Sequence, residues 1–195
     1  LPAKTRDGRP VRPGNLPSIM PGPEDTYQSY GYGWANASNT PFRMFKQFDH
    51  EGGIRTPMIA HWPAGIQSPG RIVPGVAHLV DILPTVSEVT GAGVPAKIGG
   101  KPVVPRDGQS LAAVFKGEAL AAQRTLFFHH AKGKALRHHD WKLVAKNKQA
   151  WELYNLKADP LELQDLAAKM PEKLAELKAL WEKESKRLAR QASQQ

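Results

Sequence analysis

The chain has 195 residues, enough for one large domain or for one domain with a small appendage. It holds no cysteine, which excludes disulfides, thiolate metal sites and a cysteine nucleophile. A formal net charge of +9 favours anionic partners such as acidic polysaccharide or phosphate and sulfate esters, and no apolar run approaches the roughly 20 residues of a membrane span.

Residue 1 is Leu1, and no secretory leader opens the chain, so a C-terminal piece of a longer protein is expected. Residues 1–41 are rich in Pro and Gly, which predicts a long surface loop without helix or central strand. Its tyrosines and Trp34 suit anchorage on a partner surface. "RTPMIAHWP", residues 55–63, reads as a short core strand ended by Pro63. "VAHLVD" reads as a strand end, and Asp81 as the N-cap of a helix over residues 82–90 that stops at Gly91. Ser110 caps a small helix over residues 111–116, closed by Gly117.

After Gln123 the pattern changes. "RTLFFHH", "KALRHH", "WKLVAK" and "WELYNL" are four short β-rich runs, broken at Gly133, Asp140 and Asn147. They predict a compact antiparallel meander. Asp159-Pro160-Leu161-Glu162 reads as an N-cap, a proline at the first helical position and a capping-box glutamate. Pro171 opens a last helix with Leu174, Leu177, Trp181 and Leu188 near one face. Its charges form i,i+4 pairs on the solvated side, and the tail from Gln191 is polar.

The stretch with most chemical content is "NTPFRMFKQFDHEGGIR", residues 39–55. Lys46 sits among Phe42, Phe45 and Phe48. It reads either as a surface lysine or as a cation whose packed stem aims it at an anion. His50-Glu51-Gly52-Gly53 is not a zinc motif, because the second histidine of HExxH would have to stand where Ile54 stands. The glycines predict a tight turn or a close backbone approach, and Glu51 is expected to pair with Arg55 or a backbone amide.

His129-His130 and His138-His139 invite a metal reading. Adjacent residues of a strand point to opposite faces, so each pair offers one ligand per face, and two ligands do not make a site. A histidine facing a substrate cleft is the other use. No GxGxxG or P-loop occurs, and the basic residues are scattered and not striped as nucleic acid would need. Asp140-Trp141-Lys142 and Trp151-Glu152-Leu153-Tyr154 read as sheet packing.

Six blocks occur in one order: "GRPVRPGN", "MPGPEDTYQSYGYGWANASNTPFRMFKQFDHEGGIRTPMIAHWPAGI", "HLVDILPTVSEVTGAGVP", "DGQSLAAVFKG", "ALRHHDWKLV" and "WELYNLKADPLELQDLA". From Gly8 to Arg187 the chain resembles the C-terminal part of an arylsulfatase. The resemblance implies an α/β, alkaline-phosphatase-like fold. Residues 1–122 would be the end of the large catalytic domain. Residues 123–195 would be a smaller subdomain with a four-stranded antiparallel sheet and helices. It also implies hydrolysis of aryl or carbohydrate sulfate esters by a formylglycine nucleophile, with a calcium ion on the sulfate.

The nucleophile motif, C/S-x-P/A-x-R, is not met here. Ser38-Asn39-Thr40-Pro41-Phe42-Arg43 misses it by one residue, and Ser68-Pro69-Gly70-Arg71 lacks the spacing. Nucleophile and calcium ligands are therefore expected upstream, with no metal bound by this chain and no turnover by it alone. Lys46, the lysine before the "EGG" turn, is the position that carries over, as a catalytic contact to a sulfate oxygen. His50 is a secondary substrate-binding candidate, and His129 or His130 would stand on the wall of the cleft. Asn36 and Asn39 approach the site or cap the loop. Without an upstream sheet, residues 56–62 lose their strand partners. Family members are often exported, so a periplasmic or secreted protein is expected. The alternatives are a polyanion- or carbohydrate-binding module without catalysis, and a phosphoryl-transfer relative on the same scaffold.

Overall fold

The computed structural model describes residues 2–120, 123–130, 133–146 and 148–193. Strands β1 (Arg12–Pro13) and β2 (Thr26–Tyr27) make a two-residue parallel pair. Helix α1 (Gly31–Ser38) buries none of its residues. These elements correct the expectation of a loop through residue 41. Proline is absent between Pro23 and Pro41, so nothing in that run blocks a helix. Trp34 and Tyr32 are exposed, and Tyr32 meets Phe45 edge to face.

One helical turn, α2 (Glu51–Ile54), leads into the segment expected to be a strand. No strand forms over residues 55–63. The segment forms no ladder, and Ile59 is 91% exposed. A buried strand is stabilised by neighbours on both edges, and no described residue supplies one.

"VAHLVD" forms no strand either. A 3-10 turn (Leu79–Asp81) runs into helix α3 (Ile82–Thr90), which stops at Gly91 in the left-handed conformation (φ 68°). Asp81 is the N-cap residue by position, yet its carboxylate does not cap α3. It accepts the amides of His78 and Gln109 and a bidentate fork from Arg124 at 2.6 and 2.9 Å. Burial alone would push this carboxyl's pKa up. The Arg124 fork and the two amides outweigh that and hold it below the ordinary value. Strands β3 (Lys97–Ile98) and β4 (Lys101–Pro102) pair antiparallel, and helix α4 (Ala112–Phe115) follows, with Ser110 Oγ accepting the Ala112 amide.

The meander is present as expected. Strands β5 (Thr125–His130), β6 (Gly133–His138), β7 (Trp141–Lys146) and β8 (Glu152–Asn155) form one antiparallel sheet in sequence order. The expected break at Asn147 lies outside the described residues, as do residues 121–122 at the expected domain boundary and the last two residues of the tail. Helix α5 (Pro171–Ala192) begins at its proline.

Alternation gives the sheet two faces. Leu136, Leu143 and Leu153 are cross-strand partners on one face, and they pack with Leu177 of α5. The other face carries Ala135, Val144 and Tyr154, packed with Leu156 and Phe128. Lys142 pairs in register with Tyr154, and Val144 with Glu152, so Lys142 and Glu152 lie on this second face. That face receives the segment around Lys46.

Residues 159–162 do not start a helix. Asp159 instead accepts the amides of Leu163 and Gln164, and Glu162 takes a left-handed backbone (φ 57°) with its side chain fully buried. A capping glutamate reaches back to the N-cap amide of its own segment. This one has a buried cation, as follows.

Candidate functional site

Lys46 stands on a loop that doubles back on α2. Gly52 and Gly53 make this possible. A Cβ on Gly52 would lie 2.3 Å from the carbonyl oxygens of Arg43 and Met44, and one on Gly53 would lie 1.9 Å from that of Phe48. The glycines serve close backbone approach and not a positive φ. Met44 (φ 64°) and Gln47 (φ 89°) bracket Lys46 in left-handed conformations that are costly for residues with a Cβ.

The side chain of Lys46 is exposed. The expected packed stem is thereby corrected. Phe45 and Phe48 meet each other edge to face at 5.3 Å. Phe42 carries the Arg55 guanidinium at 4.6 Å, and Phe48 the Lys146 ammonium at 4.9 Å. The aromatic frame shapes the loop and steadies other cations, and Lys46 projects from it.

Beneath the loop lies a buried ionic clasp. Lys142, on β7, is fully buried and reaches Glu51 Oε1 at 2.8 Å and Glu162 Oε1 at 2.9 Å. The other oxygen of Glu162 accepts the Glu51 amide at 2.8 Å. Arg43 donates to the Glu162 carbonyl and to the Tyr154 hydroxyl at 2.5 and 2.8 Å. Tyr154 donates to Glu152, whose same oxygen lies 3.1 Å from His50 Nε2. Glu51 also lies 3.8 Å from Arg55, the partner expected for it.

His50 is thus placed in the clasp, 1% exposed, and not in an open cleft. Its neighbour Asp49 is buried against Gly133, where any Cβ would strike the carboxylate. Burial pushes the Asp49 pKa up, partly countered by Lys142 and by His130, His129 and His50. His129 and His130 are both exposed, on opposite faces of β5. His129 meets Phe127 and Trp181 edge-on, on the α5 side. His130 falls on the face that receives the Lys46 loop. Asn39 caps its own helix through Ala35, as a loop role would have it.

Sequence reasoning missed Lys142, Glu162, Glu152, Tyr154 and Arg43. One signal was available. Lys142 is in phase with Val144 on a strand whose other inner positions, Leu143, Val144 and Ala145, are apolar, and a buried lysine there needs an acid. Which acid was not legible, since Glu51 is 91 residues away.

The Glu152 carboxyl is held down to about 2, chiefly by its bond to His50, against burial and with help from Tyr154 and Arg43. Burial and the Glu152 bond push the Tyr154 hydroxyl up. A depressed carboxyl stabilises the fold above its unfolded pKa, and that contribution is lost as pH falls through the folded value. The share from Glu152 is therefore full above about pH 4.5 and disappears towards about pH 2. In urea titrations, Glu152→Gln is expected to lower the midpoint at pH 7 and to flatten its fall between those two values. An acid limb as steep as the wild type's would show that Glu152 does not titrate there.

Among the described residues, no group of three or more His, Asp or Glu side chains could hold a metal ion.

The family described as "N-sulphoglucosamine sulphohydrolase, C-terminal" matches residues 42–191. Steryl-sulfatase of Mus musculus is 35% identical over 111 residues, covering 56% of this chain and 17% of that protein. An uncharacterized sulfatase of Schizosaccharomyces pombe is 34% identical over 159 residues, covering 78% of this chain and 28% of that protein. The crystal structure of Ps i-CgsB in complex with k-i-k-neocarrahexaose is similar with a TM-score of 0.62 and 27% identity, covering 75% of this chain and 32% of that one. The chain thus spans about a sixth to a third of the length of these relatives.

Proposed function

The chain belongs to the sulfatase family, as its C-terminal part, and from that premise we propose that it contributes Lys46 to the active site of a sulfuric ester hydrolase. The substrate class is a sulfated carbohydrate or an aryl sulfate. The observation that carries the reading is the Lys46 loop itself: an exposed ammonium on a strained backbone, seated on two glycines and clasped from beneath. A cation carried on a held backbone suits an anion that must be bound in one orientation.

A sulfate monoester carries one negative charge, and its leaving oxygen gains charge as the S–O bond breaks. An ammonium beside the sulfate stabilises both charges, most strongly once the site excludes water. The formylglycine nucleophile and the calcium ion that the family implies would come from residues upstream of this chain. The neighbour held with a neocarrahexaose supports a carbohydrate as the organic part of the substrate. A periplasmic or secreted location fits such a substrate.

Turnover of a chromogenic aryl sulfate tests the reading. The 195-residue chain alone is expected to show none, and the complete protein robust activity. Turnover of the phosphate ester instead would favour the phosphoryl-transfer relative. Salt-dependent binding of a sulfated polysaccharide with no turnover by the complete protein would favour a binding module, which the net charge of +9 would suit.

A further inference from the structure

We propose that Lys142 is a positioning residue for Lys46, acting through Glu51 and Glu162. The inference rests on the reading of Lys46 as a sulfate-binding cation, and it deepens that reading by assigning the small sheet a task in catalysis.

Backbone strain gives the first reason. Among the described residues, four non-glycine residues adopt a positive φ: Met44, Gln47, His139 and Glu162. Two of these bracket Lys46, and a third is the buried glutamate that Lys142 holds. Left-handed backbone at such residues persists only where the surroundings impose it. The aromatic contacts, Tyr32 with Phe45 and Phe45 with Phe48, do not tie the two feet of the loop together and so do not impose it alone.

The wiring gives the second reason. The segment from Arg43 to Glu51 is tied at both ends to one point. Arg43 donates to the carbonyl of Glu162, and the amide of Glu51 donates to the Glu162 carboxylate. Lys142 hydrogen-bonds the Glu51 carboxylate and forms an ion pair with that of Glu162. The ammonium thereby closes a ring that contains both feet of the loop. Its own backbone is fixed in the middle of the sheet, paired on one side with Arg137 and on the other with Tyr154.

Close seating gives the third reason. The carbonyls of Arg43, Met44 and Phe48 press on Gly52 and Gly53, so α2 cannot shift without moving the loop. Lys142 is fully buried and Lys46 exposed, so Lys142 itself does not meet substrate. Its action on catalysis is through geometry, where misplacing a catalytic group by about 1 Å costs on the order of 100-fold in rate.

The test pairs amide hydrogen exchange with kinetics on two variants of the complete sulfatase. Lys142→Met keeps the volume of the stem and removes the charge. Glu162→Gln keeps the Lys142–Glu51 pair and serves if the first variant does not fold. The expected result is faster exchange over residues 43–54, with the amides of β5–β8 still protected. In the same proteins kcat falls by on the order of 100-fold for Lys142→Met and less for Glu162→Gln, while KM changes less than kcat. Exchange that rises equally across β5–β8, or kcat that stays at the wild-type value while the loop loosens, would overturn the proposal. The kinetics of Lys46→Ala report separately on the sulfate-binding reading, and the exchange pattern does not depend on them.

Discussion

Lys46→Ala in the complete sulfatase is expected to lower kcat by roughly 100- to 1000-fold, about 2.7–4 kcal/mol of transition-state stabilisation. The magnitude follows from removing one preorganised donor at a centre where charge develops. The melting temperature should not move, because the side chain is exposed and makes no hydrogen bond or ion pair to a described residue. Lys46→Arg should restore little, since a planar guanidinium on a longer stem does not reproduce an ammonium aimed at one oxygen. Steady-state kinetics with a chromogenic sulfate ester check this directly. Wild-type kcat in Lys46→Ala would remove the residue from the site and would leave the strained loop without a purpose.

Arg124→Ala is expected to have the largest effect on stability, about 3–5 kcal/mol by urea denaturation. The guanidinium joins the start of β5 to the 3-10 turn that opens α3, and it also donates to the Val76 carbonyl. Side-chain exposure is 5% for Arg124 and 0% for Asp81, so its loss leaves a carboxylate buried with only two amides to hold it. Removing one partner of such a pair costs far more than the pair itself contributes, because the remaining charge cannot return to water. Arg124→Lys should fall between the two, as it keeps the charge and loses the fork. A loss below about 1 kcal/mol for Arg124→Ala would show that water reaches Asp81 when the arginine is gone.

The parts of this fold that were legible in sequence are those set by local pattern. The meander could be read because four short β-rich runs are separated by turn-like breaks. Helix α5 could be read because Pro171 and the Leu174, Leu177, Trp181 spacing agree. The glycine pair after Glu51 was readable as a close approach, though not what it approaches. Residues 55–63 failed for a physical reason: "RTPMIAHWP" has the composition of a core strand, but a strand is completed by its pairing partners, and no described strand pairs with it. Asp159-Pro160-Leu161-Glu162 failed in the opposite way. Its local pattern is that of a capped helix, but Glu162 is turned to the buried ammonium of Lys142 and the distant amide of Glu51 and not to a cap of its own segment.

The site was half legible. Lys46 stood out by its aromatic neighbours, and the resemblance gave it a proposed role as a sulfate contact. The clasp beneath it was invisible because its partners are 91 to 119 residues apart and meet only when the sheet folds against the loop. Glu152 and Tyr154 carry the usual composition of an edge strand, and only their register against Val144 and Lys142 reveals that they share a face with the network.

The most direct measurement is a crystal structure of the complete sulfatase with a sulfate ester or inorganic sulfate bound. The expected result has the Lys46 ammonium within hydrogen-bonding reach of a sulfate oxygen, with Lys142 still bridging Glu51 and Glu162 beneath the loop. A sulfate held in the active site while Lys46 extends into solvent away from it would contradict the assignment at its root.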